Sequence, residues 1–239
     1  MVLSDVGLLV VDSMRTRAYL SALASQGLRP ASAILFGHRG VADDGASTPR
    51  TRSVLFDQTT STLESIRRAE IPHLVLAERD VNDPAVIAAV QASPVPVFVY
   101  AGPPGGILRQ AILSTGKRFL HVHAGRLPRF RGSTTVYYSL LEEGDCGASA
   151  LFLDRRIDGG DVLETKRYPA PHDRSTIDHE YDPSIRADLL VRVLARHAAT
   201  GRWDAQPQAE DESRTYFIIH PVLKHLAILS AAGTMRTSG

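Results

Sequence analysis

The chain has 239 residues, 44% of them apolar and 22% charged, with a formal net charge of +1. A chain of this size buries a large core without staples, and its near-neutral charge gives no electrostatic reason to expect a nucleic-acid partner. Cys146 is the one cysteine, so no intrachain disulfide forms. The first residues lack a secretory leader's basic start and apolar run, and no apolar run approaches the ~20 residues of a membrane span, so a cytoplasmic protein without membrane contact is expected.

In chain order, residues 6–11 form a continuous apolar run, the pattern of a strand buried on both faces. Asp12-Ser13 then offers a cap for a helix over 15–26, with Gly27 at its end, and 31–36 is the next strand. This strand–helix–strand unit implies a parallel sheet with a right-handed crossover. Residues 40–53, rich in Gly, Asp, Ser, Thr and Arg, read as a loop. Helices over 61–69 and 84–91 alternate with strands over 74–76 and 95–100. The run Ala101-Gly102-Pro103-Pro104-Gly105-Gly106 is a loop at the carboxyl end of the latter strand, before a helix over 107–113 and a strand over 119–123. A helix over 133–143 has Ser133 as its cap and Gly144 at its end. Strands over 148–153 and 162–168 are joined by an acidic, glycine-containing loop. Asp182 as cap, followed by Pro183 at the first helical position, starts a long helix with Ile185, Leu189, Leu190, Val193 and Leu194 on one face, closed by Gly201. A late strand over 216–219, a helix over 221–229 and a frayed tail from 230 complete the chain. The expected fold class is α/β, a Rossmann-like, mostly parallel sheet with flanking helices. One domain over 1–239 is expected, with a parallel half over about 1–125 and a mixed portion over about 126–239.

The chemistry concentrates in His121-Val122-His123-Ala124-Gly125-Arg126-Leu127-Pro128-Arg129-Phe130-Arg131-Gly132 and the downstream Asp158-Gly159-Gly160. Strand alternation puts His121 and His123 on one face, near a strand end, where open α/β sheets place ligands. The helix capped by Ser133 offers backbone N–H groups to an anion. Arg126, Arg129 and Arg131 together suit a phosphate or carboxylate on the substrate, although each alone reads rather better as a solvated side chain. Ser13 and Arg15 follow the first strand, at a turn that faces the ligand crevice of a doubly wound sheet, and are substrate-contact candidates; capping and exposure explain them as well. No Gly-x-Gly-x-x-Gly is present, so a dinucleotide is not indicated.

The segment from His123 to Gly132 resembles the His-Pro-Ser-Leu-Leu-Pro-x-(Tyr/Phe)-x-Gly segment of the folate-dependent formyltransferases, and Leu153 to Leu163 resembles their Asp-x-Gly loop. The resemblance is strongest over about 119–163. It implies a formyltransferase-like fold and transfer of a one-carbon group, with N10-formyltetrahydrofolate as co-substrate and a small-molecule amine as acceptor. An amino sugar or a specialised-metabolism amine, anionic in character, is the expected acceptor, with a homodimer as one expected assembly. By position, His123 matches the family's catalytic His and Asp158 its catalytic Asp. The family's Asn falls on His121. In the family reading Asn and His donate to the tetrahedral oxyanion while Asp organises proton transfer; His121 as an imidazolium would donate too, and activity would fall as it loses its proton. The loop carrying Tyr100, Gly102, Gly105, Gly106, Ile107 and Leu108 sits where the family lines its pterin pocket, with Asp154 and Ile157 on the opposite wall.

Two other readings compete. His-x-His plus a carboxylate binds transition metals, so His121, His123 and Asp158 would serve a metal-dependent hydrolase or lyase, with His172, His179 and Asp178 as further ligands. The third is a non-catalytic folate or metabolite binder that has lost turnover with its Asn.

Overall fold

The computed structural model describes residues 1–38, 55–209 and 213–230; the loop expected over 40–53 and the tail beyond 230 lie outside the described residues. The strands in chain order are β1 (Val2–Val10), β2 (Arg29–Leu35), β3 (His73–Val75), β4 (Val97–Ala101), β5 (Arg118–His123), β6 (Arg131–Gly132), β7 (Cys146–Phe152), β8 (Val162–Tyr168) and β9 (Thr215–Tyr216). The helices are α1 (Met14–Ser25), α2 (Thr62–Arg68), α3 (Pro84–Ala92), α4 (Gln110–Leu113), α5 (Thr135–Glu143), α6 (Asp182–Thr200) and α7 (Pro221–Leu229).

Seven strands form one sheet in the order β3-β2-β1-β4-β5-β7-β8. β1 to β5 pair in parallel, whereas β7 runs antiparallel to both β5 and β8. The mostly parallel Rossmann-like sheet is therefore present. The strand order changes direction between β1 and β4, the switch point at whose carboxyl ends doubly wound sheets bind ligands.

Strand alternation splits the core into two layers. Leu8, Val10, Val99, Leu120 and Val122 pack on one side with Tyr19, Leu23, Tyr137, Leu189, Leu190 and Val193 from α1, α5 and α6. Leu9, Phe98, Tyr100 and Phe119 pack on the other with Val86, Val90 and Ile112 from α3 and α4. Each fully buried side chain of this size contributes about 1.5–3 kcal/mol of transfer free energy.

Some elements depart from the sequence pattern for identifiable reasons. The helix expected over 107–113 shrinks to α4 because side chains take its first backbone groups. The Asn82 amide donates to the Ile107 carbonyl at 3.0 Å and accepts the Arg109 N–H at 2.8 Å, and the Tyr100 hydroxyl donates to the Gly106 carbonyl at 2.6 Å. Ser133 does not cap α5. Thr134 precedes the helix in the left-handed region, at φ 52°, and its hydroxyl accepts the Ile219 N–H at 2.8 Å. Asp182 does not cap α6, because the chain already arrives helical through Arg174–Thr176 and a single π turn at Ile177–Tyr181. With no exposed N–H at that point to satisfy, Asp182 pairs instead with Arg186 one turn on, at 2.9 Å.

The late strand shortens to β9, which pairs in parallel with β6. Gly132 permits this contact: its φ is +99°, and a Cβ there would lie 2.1 Å from the Tyr216 carbonyl oxygen. This small sheet fastens the segment around 215–216 across the loop that follows β5.

Candidate active site

His121 and His123 both lie on β5, on the face shared with Phe119, and His123 is the strand's last residue. His123 is only 4% exposed. Its Nε2 lies 2.7 Å from the Phe130 carbonyl oxygen and 3.2 Å from Thr135 Oγ1, and its Nδ1 lies 3.4 Å from Asp158 Oδ2. Thr135 Oγ1 donates to the Ala124 carbonyl at 2.5 Å, which orients the hydroxyl. The loop from Gly125 to Phe130 therefore folds back over the ring that precedes it.

Asp158 reaches His123 because its backbone adopts φ 49°, a left-handed conformation that Asp tolerates better than most side chains. Asp158 Oδ2 also accepts the Gly132 N–H at 2.9 Å. The Gln208 amide donates to the Asp158 carbonyl at 2.8 Å and to the Gly160 carbonyl at 2.7 Å, and its oxygen accepts from Arg131 at 2.8 and 3.2 Å. Gln208 thus holds the acidic loop and Arg131 together. Burial pulls the His123 ring below the ordinary imidazole value, and Asp158 opposes that shift.

His121 is half-buried, with Nδ1 3.1 Å from the Tyr100 carbonyl oxygen. Burial first, then the Arg15 and Arg186 guanidiniums, hold it well below the ordinary imidazole value; the Tyr100 bond offsets only part of this. The ring is neutral near pH 7, so the imidazolium donor expected at this position is not its resting form.

Arg15, at the start of α1, donates from Nη2 to the Gly102 carbonyl, just beyond the end of β4, at 2.9 Å. Among the described residues it has no carboxylate in ion-pairing range, and burial depresses its pKa. Ser13 caps α1 by accepting the Thr16 N–H at 3.2 Å. Arg186 donates from Nη1 to the Val122 carbonyl at 3.0 Å and pairs with Asp182. Although burial lowers the Arg186 pKa, Asp182 outweighs it and the net shift is upward.

The three arginines after β5 do not form an open cluster. Arg126 pairs with Glu143 and lies 3.9 Å from Asp145, and Arg129 pairs with Glu142 at 3.4 Å and Glu143 at 3.0 Å. Arg131 is held by Gln208. Around the expected pterin pocket, Tyr100 lies beneath the Gly102–Gly106 turn: a Cβ on Gly102 would lie 1.9 Å from its hydroxyl. Gly105 has φ +74°. Leu108 is buried with Val86 and Ile112 in the core layer, whereas Ile107 and Ile157 are 60% and 55% exposed. Asp154 is engaged by Arg156 at 2.7 Å.

For the metal alternative, no group of three His, Cys, Asp or Glu side chains among the described residues is arranged to hold an ion. Asp178 accepts from the Tyr137 hydroxyl and pairs with Lys224. Cys146 is buried and its thiol is pushed up to about 12, first by burial, which suits no nucleophile. A groove of about 470 Å³ between α1 and α6 is lined by Ser21, Phe56, Ala187 and Arg192 but by none of the expected site residues. No helix among the described residues is long and apolar enough to cross a membrane. Sequence reasoning missed Thr135, Arg186 and Gln208. Only the position of Thr135 soon after the imidazole pair offers a signal; Arg186 and Gln208 are isolated polar residues far downstream.

A sequence model described as formyl transferase matches residues 46–182. The methionyl-tRNA formyltransferase of Clavibacter sepedonicus is 35% identical over 145 residues, 59% of this chain and 46% of that protein. That of Roseiflexus is 31% identical over 147 residues, 60% of this chain and 44% of its own length. The chain thus spans less than half of these relatives. Among solved structures, a sugar N-formyltransferase from Shewanella superposes with a TM-score of 0.57 at 16% identity, covering 94% of this chain and 86% of that one. Glycinamide ribonucleotide transformylase 1 from Symbiobacterium toebii gives 0.57 at 21%, covering 85% and 93%. These two establish likeness of fold.

Proposed function

We infer the reaction from one premise: this chain belongs to the formyl transferase family, whose sequence model matches residues 46–182. The reaction proposed is transfer of a formyl group from N10-formyltetrahydrofolate to the amine of a small, anionic metabolite, an amino sugar or a specialised-metabolism amine. The folate supplies the activated formyl carbon; binding, orientation and proton handling fall to the protein. The observation that carries this reading is the Asp158 carboxylate, which lies 3.4 Å from Nδ1 of His123, at the end of β5, and accepts the Gly132 N–H. A carboxylate so held fixes the ring and stabilises it when it takes up a proton.

The site suits the folate. Ile107 and Ile157, on the loops after β4 and β7, are large apolar side chains left in solvent, and an aromatic heterocycle would cover them. Backbone groups of the turn at Gly102, Gly105 and Gly106, above Tyr100, would bond its polar edge, with Asp154 on the other wall. Arg15, without a carboxylate partner among the described residues, would bind a carboxylate or phosphate, with Ser13 beside it and Arg131 on the acidic loop side. The net charge of +1 favours a small acceptor over tRNA.

The test is a thermal-shift series. N10-formyltetrahydrofolate at ~100 times its Kd is expected to stabilise the fold by about 2.7 kcal/mol, and release of tetrahydrofolate with nucleotide-linked amino sugars, glycinamide ribonucleotide or initiator methionyl-tRNA then identifies the acceptor. A midpoint that responds to zinc but not to the folate would replace this reading with the metal-dependent one.

A further inference from the structure

The two strand-end imidazoles are not equivalent. Both ring nitrogens of His123 are engaged within the chain, Nε2 by Phe130 and Thr135 and Nδ1 by Asp158. His121 has one engaged nitrogen, Nδ1, 3.1 Å from the Tyr100 carbonyl oxygen. A carbonyl oxygen only accepts, so this Nδ1 carries the hydrogen. A neutral ring with its hydrogen on Nδ1 presents a bare lone pair at Nε2. No described residue hydrogen-bonds to that nitrogen. The ionisable groups around the ring are Arg15 of α1, Arg186 with its Asp182 on α6, Tyr100 of β4, and His123 with its partner Asp158. The two guanidiniums add to burial in keeping the ring neutral.

An asparagine at this position has an amide that donates. A neutral imidazole held in this tautomer accepts. We propose that His121 is a catalytic proton acceptor, its Nε2 taking the proton of the acceptor amine as that nitrogen bonds to the formyl carbon. The inference rests on the formyl-transfer reading above. The amine N–C bond forms and an amine N–H bond breaks, its proton going to Nε2. The ring becomes an imidazolium that still donates from Nδ1 to Tyr100. As the bond between the formyl carbon and N10 breaks, its electron pair stays on N10 and His121 returns the proton there, leaving the N-formyl product, tetrahydrofolate and a neutral ring. The weak basicity of the ring favours this second transfer, because its conjugate acid is strong and the arylamine N10 is a poor base.

Hydroxylamine, a small nucleophile uncharged at neutral pH, serves as the acceptor probe, with formhydroxamate and tetrahydrofolate as the products read. His121→Asn and His121→Gln are expected to lower kcat by about 10²–10⁴-fold with little change in KM for the folate, while wild-type kcat stays level between about pH 6 and 8. Long-range ¹H–¹⁵N spectra of the histidine-labelled wild type, with His121 assigned by its loss in His121→Asn, are expected to show the Nδ1–H tautomer. Transfer that survives both substitutions, or an Nε2–H tautomer, overturns the proposal alone. Absence of transfer by the wild type, to hydroxylamine and to every amine of the panel above, overturns the reaction reading and the proposal with it.

Discussion

Asp158 and Arg15 show how single side chains acquire roles from their surroundings. Asp158 is held by a backbone donor and faces a buried imidazole, so its charge matters more there than in water. Asp158→Asn keeps a residue that accepts the left-handed backbone and removes the charge; formyl transfer is expected to fall about 10²–10⁴-fold with the fold intact by circular dichroism. A variant that turns over like wild type would remove this carboxylate from the reaction. Arg15→Gln removes a charged donor worth about 1.5–3 kcal/mol, roughly a 10–100-fold rise in KM for the anionic ligand with kcat held. A fall in kcat with KM unchanged would instead place Arg15 at the reacting atoms. His123 and Asp158 were legible in the sequence because an imidazole pair at strand spacing and an Asp-Gly-Gly loop are compact local patterns. That Arg15 has no carboxylate partner among the described residues was not, since it depends on which carboxylates lie near: Arg126 and Arg129, equally basic in sequence, are neutralised by Glu142 and Glu143.

At the level of elements, the acidic loop over 154–161 owes its position to side chains from elsewhere. Gln208 satisfies two of its carbonyls and Arg131 together. In Gln208→Ala those partly buried acceptors lose their donor. Backbone amides over 154–161 are expected to exchange with deuterium faster, and transfer to slow, while α1 and α6 keep wild-type protection. Uniform exchange across the chain would show that Gln208 supports the whole fold rather than this loop. The strand and helix periodicities placed most elements within a few residues, and α7 and β8 at the residues where they occur. The misplaced helix starts at 107–110 and 133–135, and the cap that Asp182 does not supply although α6 begins there, share a cause: a side chain or neighbouring turn took over the backbone groups a helix end would present.

Across the whole molecule, the buried imidazoles couple stability to pH. Both His121 and His123 have folded pKa values below the ordinary one, so the unfolded chain binds protons first as pH falls. Their contribution therefore weakens the fold as pH drops through about 6.5 and is absent above it. Urea midpoints measured from about pH 7.5 down to 5.5 are expected to fall more steeply in wild type than in His121→Asn; parallel curves would mean that His121 titrates alike in both states. The sequence by itself determined the α/β architecture, the parallel βαβ half and the residues of the His-x-His and Asp-Gly-Gly segments, because hydrophobic period, turn residues and motif spacing are local properties of the chain. Tertiary structure alone decided which nitrogen of His121 bears its hydrogen, that Arg15 meets no carboxylate among the described residues and what fastens Asp158. Those outcomes follow from hydrogen-bond partners and local dielectric supplied by Tyr100, Arg186 and Gln208, residues brought to one edge of the sheet only when the chain folds.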